Sequence, residues 1–303
     1  MKPLRLLASL AAALALPGCA LLAPPPPPAP AHMVVGRPYQ LGGFWYYPRE
    51  RFTFQTTGLA VVSARSGGLT ADGERYDPQA LAGAHRTLQL PAFARVTNLE
   101  NGRSLVVRLN DRGPADPGRL VALTPRAAQL LGMGSAPARV RLEMLANESR
   151  ALVASLAAPP PLPIAAAPRG AVGQVALPPP TGVAQEQAPP PAPLPAGEVA
   201  ATPIAAAAPY TPSGRVRQGA PDPGRLFVRC ETFSALAYAS ALQARLESLG
   251  AHVVVDETAP RNAAYQVRLG PFASVAAADA ALREALRAGV PDARIVVATH
   301  DQP

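Results

Sequence analysis

The chain has 303 residues, 38 prolines and a formal net charge of +8. Prolines at this density, many of them clustered, exclude a single packed domain over the whole length. The basic residues are scattered arginines, with Lys2 the only lysine, and they lack the clustered cations and aromatic stripe of a nucleic-acid binder. Nucleic acid is therefore excluded as a partner, whereas a weakly basic surface suits an anionic polymer.

The N-terminus has the pattern of a bacterial export signal. Lys2 and Arg5 precede an apolar stretch, 6–16, that is too short to span a membrane as a mature helix. The following Leu-Pro-Gly-Cys resembles a lipobox, which implies cleavage before Cys19 and its acylation, with several acyl chains giving a stable anchor. Ala20 then resembles the sorting pattern of outer-membrane lipoproteins, which face the periplasm of Gram-negative bacteria. The alternative is an ordinary signal peptide with an incidental cysteine.

The cysteine count limits the chemistry. If Cys19 is acylated, Cys230 has no partner, so the chain can form neither a disulfide framework nor a cysteine metal site. We predict no metal and no cofactor.

Composition divides the chain into folded and unfolded parts. The predicted parts are a signal peptide (1–18), a Pro-rich spacer (19–32), an N-terminal extension (33–55), a first domain (56–146), an Ala/Pro-rich linker (147–224) and a second domain (225–303). The linker cannot bury enough apolar surface to fold, so it is predicted to be disordered.

The first domain consists of short strands and turns. Two strand-like runs, 93–98 and 105–109, flank Glu-Asn-Gly and predict a hairpin. Thr124 as N-cap, Pro125 and the stop at Gly132 predict one helix. Residues 139–145 alternate as a half-buried closing strand, and many short strands with one helix predict a small barrel.

The second domain contains an internal repeat with strand–helix–strand order. Ser234 and Ser274 are predicted N-caps, and Gly250 and Gly289 are predicted C-terminal stops. Two such units predict a four-stranded sheet with two helices on one face. The run "YQVRLGPF" resembles the SPOR domain, an α+β, ferredoxin-like peptidoglycan-binding module. This resemblance implies that glycan strands without stem peptides lie across the exposed sheet face; the alternative is a ferredoxin-like fold with no ligand.

Three polar clusters in the first domain mark a candidate site. They are "TADGE" (70–74), "AHRTL" (84–88) and "NDRGP" (110–114). Taken singly, each is typical of a turn or of a structural histidine. Together they resemble the rare lipoprotein A family of septal lytic transglycosylases, and the similarity extends through 84–114. The resemblance implies a multidomain protein, with a mainly β, six-stranded double-psi β-barrel, a disordered Pro/Ala-rich linker and a C-terminal SPOR domain.

The family also implies a function. We expect a lipid-anchored, endo-acting lytic transglycosylase that cleaves MurNAc–GlcNAc bonds of peptidoglycan and leaves anhydro-muramic ends. Its expected substrate is denuded glycan strands at the division septum. The expected partners are these strands, the membrane through the N-terminal lipid, and divisome proteins.

The family's functional residues fall on Glu74, His85 and Asp111. Cleavage needs a carboxylic acid that protonates the leaving oxygen, and Asp111 is predicted for this role because it ends a buried strand. Glu74 would stabilise oxocarbenium-like charge or tune the acid, and His85 would orient a carboxylate or the substrate. Candidate substrate-binding residues are Arg112, Arg86 and Asn110; a structural ion pair is equally open for Arg112. Gly113-Pro114 is predicted to fix the loop that presents Asp111.

Two departures from the family pattern favour a different function. A Trp-Tyr pair typical of the family is absent from 58–64, and Ala122 stands where an aspartate is usual. The alternative is therefore a non-catalytic, peptidoglycan-binding lipoprotein of the septum. A metal-dependent hydrolase is a poor third, because one histidine and two separated acids are not a metal-ligand spacing.

Overall fold

The computed structural model describes residues 31–157, 210–256 and 264–299. The predicted signal segment, the acylation site at Cys19 and the central part of the predicted linker lie outside these ranges. None of the helices in the described ranges combines the length and apolar character needed to cross a membrane.

Strands of the N-terminal half close into a barrel. The elements are β1 (Tyr39–Leu41), β2 (Phe44–Tyr46), β3 (Gln55–Val62), β4 (Ala82–Ala84), β5 (Ala92–Asn98), β6 (Arg103–Asp111), β7 (Val121–Leu123), α1 (Pro125–Leu130), β8 (Ala138–Met144) and α2 (Ala146–Ala157). The order around the barrel is β4-β7-β3-β8-β5-β6, and a parallel pairing of β6 with β4 completes the ring. The predicted six-stranded barrel is confirmed.

Alternating side chains fill the barrel interior. β8 alternates buried and half-buried residues, as predicted, and β5 pairs antiparallel with β6 around the turn at Gly102, which confirms the predicted hairpin. The core consists of buried aliphatic residues, among them Leu88, Leu90, Val96, Leu105, Val107, Leu109, Val121, Leu123, Leu131, Val140 and Leu142. Each buried leucine or valine contributes about 2 kcal/mol of transfer free energy, which makes the barrel a rigid support for its loops.

Helix α1 begins and ends close to its predicted bounds. Thr124 is the N-cap, Pro125 is the first helical residue, and Gly132 follows the C-cap with φ +66°. The Thr124 hydroxyl does not cap the helix; it donates to the carbonyl oxygen of Ala80 at 2.6 Å. This bond ties the start of the helix to the segment before β4.

The predicted extension, 33–55, folds against the barrel. β1 and β2 form an antiparallel hairpin with Gly42 at positive φ in its turn. Tyr39 and Tyr46 are paired across the hairpin, with ring centroids 5.9 Å apart, and both contact barrel arginines. Trp45 points to the opposite face and is 60 % exposed.

The structure differs from the predicted disordered linker, 147–224, at both ends. Helix α2 occupies its start and packs Leu152 against Phe93 of β5. This segment is rich in good helix formers, and its first proline is Pro159, so a helix can form before the Pro-rich part begins. At the other end, β9 (Arg217–Gln218) pairs with β6.

The C-terminal elements form a separate α+β domain. They are β10 (Arg225–Phe233), α3 (Leu236–Arg245), β11 (Ala251–Asp256), β12 (Ala264–Phe272), α4 (Val275–Arg287) and β13 (Arg294–Ala298). The antiparallel sheet has the order β11-β12-β10-β13, and α3 and α4 pack into one apolar core with it. The predicted four-stranded, ferredoxin-like sheet with two helices is confirmed.

Helix caps in this domain agree with prediction at one of two positions. The Ser274 hydroxyl accepts a hydrogen bond from the N–H of Ala277 and caps α4, as predicted. The predicted cap at Ser234 is wrong, because α3 starts one residue later, with Ala235 as an N-cap that has no side-chain acceptor. Cys230 is a free, buried cysteine, and burial raises the pKa of its thiol to about 11.

The barrel contacts the C-terminal domain through apolar and polar groups. Leu59 and Leu99 of the barrel belong to the same buried apolar cluster as the core of the C-terminal domain. The Thr57 hydroxyl donates to the carbonyl oxygen of Val297 at 2.6 Å and accepts from its N–H at 3.1 Å. Arg119 donates to both carboxylate oxygens of Asp279, at 2.7 and 2.8 Å. One edge of the C-terminal sheet therefore lies against β3 of the barrel.

Candidate active site

The three predicted polar clusters meet at one end of the barrel. Asp111 is the last residue of β6, and the parallel pairing with β4 places Ala84 beside it. The backbone N–H of His85 donates to the carbonyl oxygen of Asp111 at 3.0 Å. The N–H of Ala71 donates to Oδ1 of Asp111 at 3.0 Å, which brings the 70–74 turn to the same place. The fold thus joins clusters that are well separated in sequence.

Backbone amides and one arginine hold the carboxylate of Asp111. Oδ1 also accepts from the N–H of Arg112 at 2.9 Å, and Oδ2 pairs with the guanidinium of Arg65. Arg65 is anchored in turn by the carbonyl oxygens of Gly67 and Leu69. Only 14 % of the Asp111 side chain is exposed, so its direction is set by these contacts. Sequence analysis missed Arg65, because it lies in a loop with no motif and reaches β6 only through the fold.

A second arginine and Asn110 hold Glu74. Oε1 of Glu74 pairs with the guanidinium of Arg108 at 2.6 Å, and Oε2 accepts from Nδ2 of Asn110 at 2.8 Å. Arg108 also lies 3.7 Å from Oδ2 of Asp72, so one cation faces two carboxylates. The sequence interpretation treated Arg108 only as part of an apolar strand, and the register of β6 is what points it toward the 70–74 turn.

Asp72 is a buried acid that sequence reasoning interpreted as a turn residue. Its Oδ1 accepts from the Thr70 hydroxyl at 2.7 Å, whereas Oδ2 has no hydrogen-bond partner among the described residues. Burial raises the pKa of Asp72 above its ordinary value, the nearby charge of Glu74 raises it further, and the Thr70 hydrogen bond opposes both effects. The turn is present, but it also places a carboxyl group inside the protein.

His85 is held as a neutral imidazole. Its Nδ1 accepts hydrogen bonds from the N–H groups of Thr87 and Leu88, both at 3.2 Å, and Phe54 packs edge-on against the ring. Burial lowers the pKa of His85 to about 3, and the charges of Arg86 and Arg112 lower it as well. Since Nδ1 is an acceptor, the proton lies on Nε2, which can donate. Within the described residues the ring makes no hydrogen bond to a predicted site carboxylate, and its predicted role in orienting a carboxylate or the substrate stays a prediction.

Two predicted substrate-binding arginines are engaged with backbone carbonyls. The Arg112 guanidinium donates to Leu88 at 2.5 Å and to Val35 at 2.7 Å, with longer bonds to three neighbouring carbonyls. Arg86 donates to Pro114 at 3.1 Å and stacks on the Tyr46 ring at 5.1 Å. Both side chains join the extension to the site loops, and their contact with sugar stays a prediction.

The loop that follows Asp111 is shaped by Gly113. Its φ of +143° lies in a region that L side chains rarely adopt. Arg86 donates to the carbonyl oxygen of Asp116 at 2.9 Å as well as to Pro114, so the far side of the loop is also fixed. This geometry is consistent with the prediction that Gly113-Pro114 presents Asp111 in one position.

Comparisons with known proteins agree with this architecture. Residues 54–142 match the family described as lytic transglycolase, whose domain is the double-psi β-barrel, and residues 222–296 match the SPOR domain. The fold and the site therefore define a double-psi barrel protein with a C-terminal SPOR domain.

Individual relatives give the family. The chain is 33 % identical over 253 residues to the endolytic peptidoglycan transglycosylase RlpA of Pseudomonas aeruginosa, covering 80 % of this chain and 70 % of that protein. It is 39 % identical over 128 residues to RlpA of Neisseria meningitidis serogroup A, covering 41 % of this chain and 53 % of the relative. A probable RlpA from Nostoc is 49 % identical over 100 residues, covering 31 % of this chain and 26 % of the relative. The chain thus spans about a quarter of the Nostoc protein and about half of the Neisseria protein. The chain belongs to the RlpA family.

Proposed function

We propose that this protein is an endo-acting lytic transglycosylase that cleaves MurNAc–GlcNAc bonds of peptidoglycan and leaves anhydro-muramic ends. The observation that carries the proposal is the pair of oriented carboxylates, Asp111 and Glu74, at one end of the barrel. The printed names of the relatives, endolytic peptidoglycan transglycosylases, support it.

Asp111 acts as acid and then as base. It protonates the glycosidic oxygen as the bond from C1 of the muramic acid to that oxygen breaks. The C6 hydroxyl of the same sugar then attacks C1, and Asp111 takes the proton of that hydroxyl, so no water is added. Oδ2 of Asp111 is paired with Arg65 in the free protein. Substrate must therefore open this contact, and Oδ2 must take up a proton from solvent, before Asp111 can protonate the glycosidic oxygen.

Glu74 and His85 assist this step in different ways. Glu74 pairs with Arg108 and stabilises positive charge that develops on the ring in the oxocarbenium-like transition state. The Nε2–H group of His85 donates a hydrogen bond to a polar group of the bound sugar, because its Nδ1 already accepts from backbone N–H groups.

The C-terminal sheet supplies a second binding surface for glycan. Phe227, His252 and Arg268 lie on the face opposite the helices; His252 packs edge-on at 6.2 Å from Phe227, and Arg268 lies 6.0 Å above the same ring. Aromatic and arginine side chains on an open face suit sugar rings. We propose that this sheet binds denuded glycan strands and enriches the protein at the division septum, where divisome proteins are partners. Acylation of Cys19 would anchor it to the outer membrane, facing the periplasm.

The test is product analysis by mass spectrometry. The chain is incubated with amidase-stripped glycan strands beside Asp111→Asn and Glu74→Gln variants. Products that end in anhydro-muramic acid, abolished by Asp111→Asn, are expected. Products heavier by one water would instead identify a hydrolase, and the transglycosylase proposal would be rejected.

A second candidate is a non-catalytic wall-binding protein. It is favoured by the missing Trp-Tyr pair and by Ala122, which sits in β7 beside Ala84 of β4 and offers no carboxylate near the site. Strand binding with no product from the wild-type protein would establish this function.

A further inference from the structure

A cavity lies between the barrel and the C-terminal domain, and the predicted site residue His85 lines it. Its volume is about 350 Å³, and its walls come from three parts of the chain. His85 and Phe54 line it from the barrel, Tyr46 from the hairpin, and Arg229 and Arg294 from the C-terminal sheet. The backbone N–H of His85 bonds to the carbonyl oxygen of Asp111, so one lining residue of the cavity is in direct contact with the proposed acid residue.

The charge of this cavity is strongly positive. Its charged lining residues are Arg49, Arg51, Arg86, Arg229, Arg294 and Asp292, five cations and one anion. His85 adds no charge, because burial keeps its pKa at about 3. A concave site lined mainly by one sign of charge attracts a ligand of the opposite sign.

Three of these arginines have guanidinium N–H groups that no described residue accepts from. Among the described residues, the guanidiniums of Arg49, Arg51 and Arg294 form no hydrogen bond and no ion pair, and all three residues are exposed. Arg86, in contrast, is engaged with backbone carbonyls, and Arg229 has other contacts. Planar guanidinium groups bind carboxylates through paired, charge-assisted hydrogen bonds.

The remaining walls identify the kind of carboxylate. The rings of Phe44, Tyr46 and Phe54 line the same cavity, and aromatic rings provide flat apolar surfaces for sugar rings. A ligand that combines a sugar ring with a carboxylate matches both features. In peptidoglycan, the lactyl group of muramic acid is a neutral amide while it carries a stem peptide. Hydrolysis of that amide releases the peptide and leaves a carboxylate on the sugar.

We propose that this cavity binds the lactyl carboxylate of a muramic acid residue from which the stem peptide has been removed, an inference that rests on the proposed function. Arg49 and Arg51 approach from the segment between the hairpin and β3, and Arg294 approaches from β13. A denuded strand on the C-terminal sheet thereby reaches the barrel beside His85. The cavity selects strands by the charge that peptide removal creates.

Binding measurements in the full chain test the proposal. Asp111→Asn is introduced in every sample so that no cleavage occurs. Titration calorimetry then compares three probes: amidase-stripped strands, strands with intact stem peptides, and chitin oligosaccharides, which have acetylated amino sugars but no lactyl group. The second probe separates the lactyl carboxylate from carboxylates of the stem peptide.

The variants are Arg49→Gln with Arg51→Gln, and separately Arg294→Gln. Arg37→Gln is the matched control, since Arg37 is exposed in the same extension and does not line the cavity. We expect the double variant to weaken binding of stripped strands by about tenfold, the value of one charge-assisted contact, with less salt dependence. Chitin oligosaccharide binding and the Arg37→Gln control should not change.

Equal losses for stripped strands and chitin oligosaccharides would overturn the proposal, as would equal affinity of the wild-type chain for stripped and peptide-bearing strands. If the double variant unfolds, the Arg294→Gln variant tests the proposal in its place, through the same comparison of stripped strands with chitin oligosaccharides. Cleavage is scored separately in the chain with Asp111 intact. A protein that shows this selectivity without producing anhydro ends would retain the cavity assignment and lose the proposed catalytic function.

Discussion

Asp72 is a buried acid at the candidate site, and its carboxyl group lowers the stability of the folded barrel. The fold buries its carboxyl group completely, yet Oδ2 has no hydrogen-bond partner in the described part of the chain, and Arg108 is 3.7 Å away. A buried polar atom left without a hydrogen bond costs about 1–3 kcal/mol. Because burial raises the pKa of Asp72, the cost is present when the group is ionised and vanishes at acid pH, where the folded and unfolded states are both protonated.

Replacing Asp72 with asparagine should therefore stabilise the barrel at neutral pH. The amide keeps the Oδ1 acceptor for Thr70 and removes the buried charge, and we expect the free energy of unfolding to rise by about 1 kcal/mol at pH 7. The gain should shrink as the pH falls through the ordinary range of aspartate. Denaturant unfolding followed by the fluorescence of Trp45, the single tryptophan of the chain, measures it. A gain that is the same at all pH values would show that ionisation of Asp72 is not the cause.

Arg112 permits a prediction that separates a structural role from sugar binding. Its guanidinium reaches carbonyls on two segments, including Leu88 and Val35, which a lysine ammonium cannot do in the same geometry. We expect Arg112→Lys to lower the free energy of unfolding by about 2 kcal/mol without any ligand. Unfolding by denaturant measures the change, and Arg37→Lys, at an exposed position, is the control. Unchanged stability with weaker glycan binding would assign Arg112 to the substrate instead.

Helix α2 falls in the predicted linker because composition was averaged over the whole Ala/Pro-rich segment. The prolines begin only after the helix, and its apolar residue Leu152 packs against Phe93 and Leu145. Leu152→Ala should lower the free energy of unfolding of the barrel by about 2 kcal/mol, since it leaves a small cavity under β5. The same fluorescence measurement tests this. Ala154→Ser on the exposed side of α2 should be silent, and equal effects of the two changes would mean that α2 does not belong to the barrel.

The helices and strands that could be predicted are those marked by turn or capping residues next to them in the sequence. Pro125 and Gly132 bound α1, Ser274 caps α4, and the Asn-Gly turn joins β5 to β6. The candidate site was predictable to the extent that its residues lie in short polar motifs. Arg65 could not be predicted, because its contact with Asp111 spans 46 residues and depends on how the barrel closes.

The contact between the barrel and the C-terminal domain could not be predicted from any local sequence pattern. Thr57 and Val297 are 240 residues apart, and neither stands in a motif. The Val297 N–H bonds to the Thr57 hydroxyl, so its hydrogen-exchange rate reports directly on separation of the domains. The charge pair that holds the same contact, Arg119 with Asp279, is largely buried, with 11 % and 19 % of the side chains exposed.

Breaking this ion pair should loosen the contact without unfolding either domain. In the Asp279→Asn variant one of the two bonds from Arg119 is lost, because an amide NH2 cannot accept a hydrogen bond, and the other loses its charged acceptor. We expect the Val297 amide to exchange about tenfold faster. Amides that pair β10 with β13 should keep their protection, because they lie inside the C-terminal sheet. Hydrogen exchange measured by NMR on the full chain resolves the two groups.

Glu284→Gln is the matched control, since Glu284 pairs with Arg287 on α4 itself. A Val297 amide that exchanges in the wild-type chain as fast as an exposed loop amide would show that the domains separate freely. In that case the cavity between them would form only when a glycan strand brings them together.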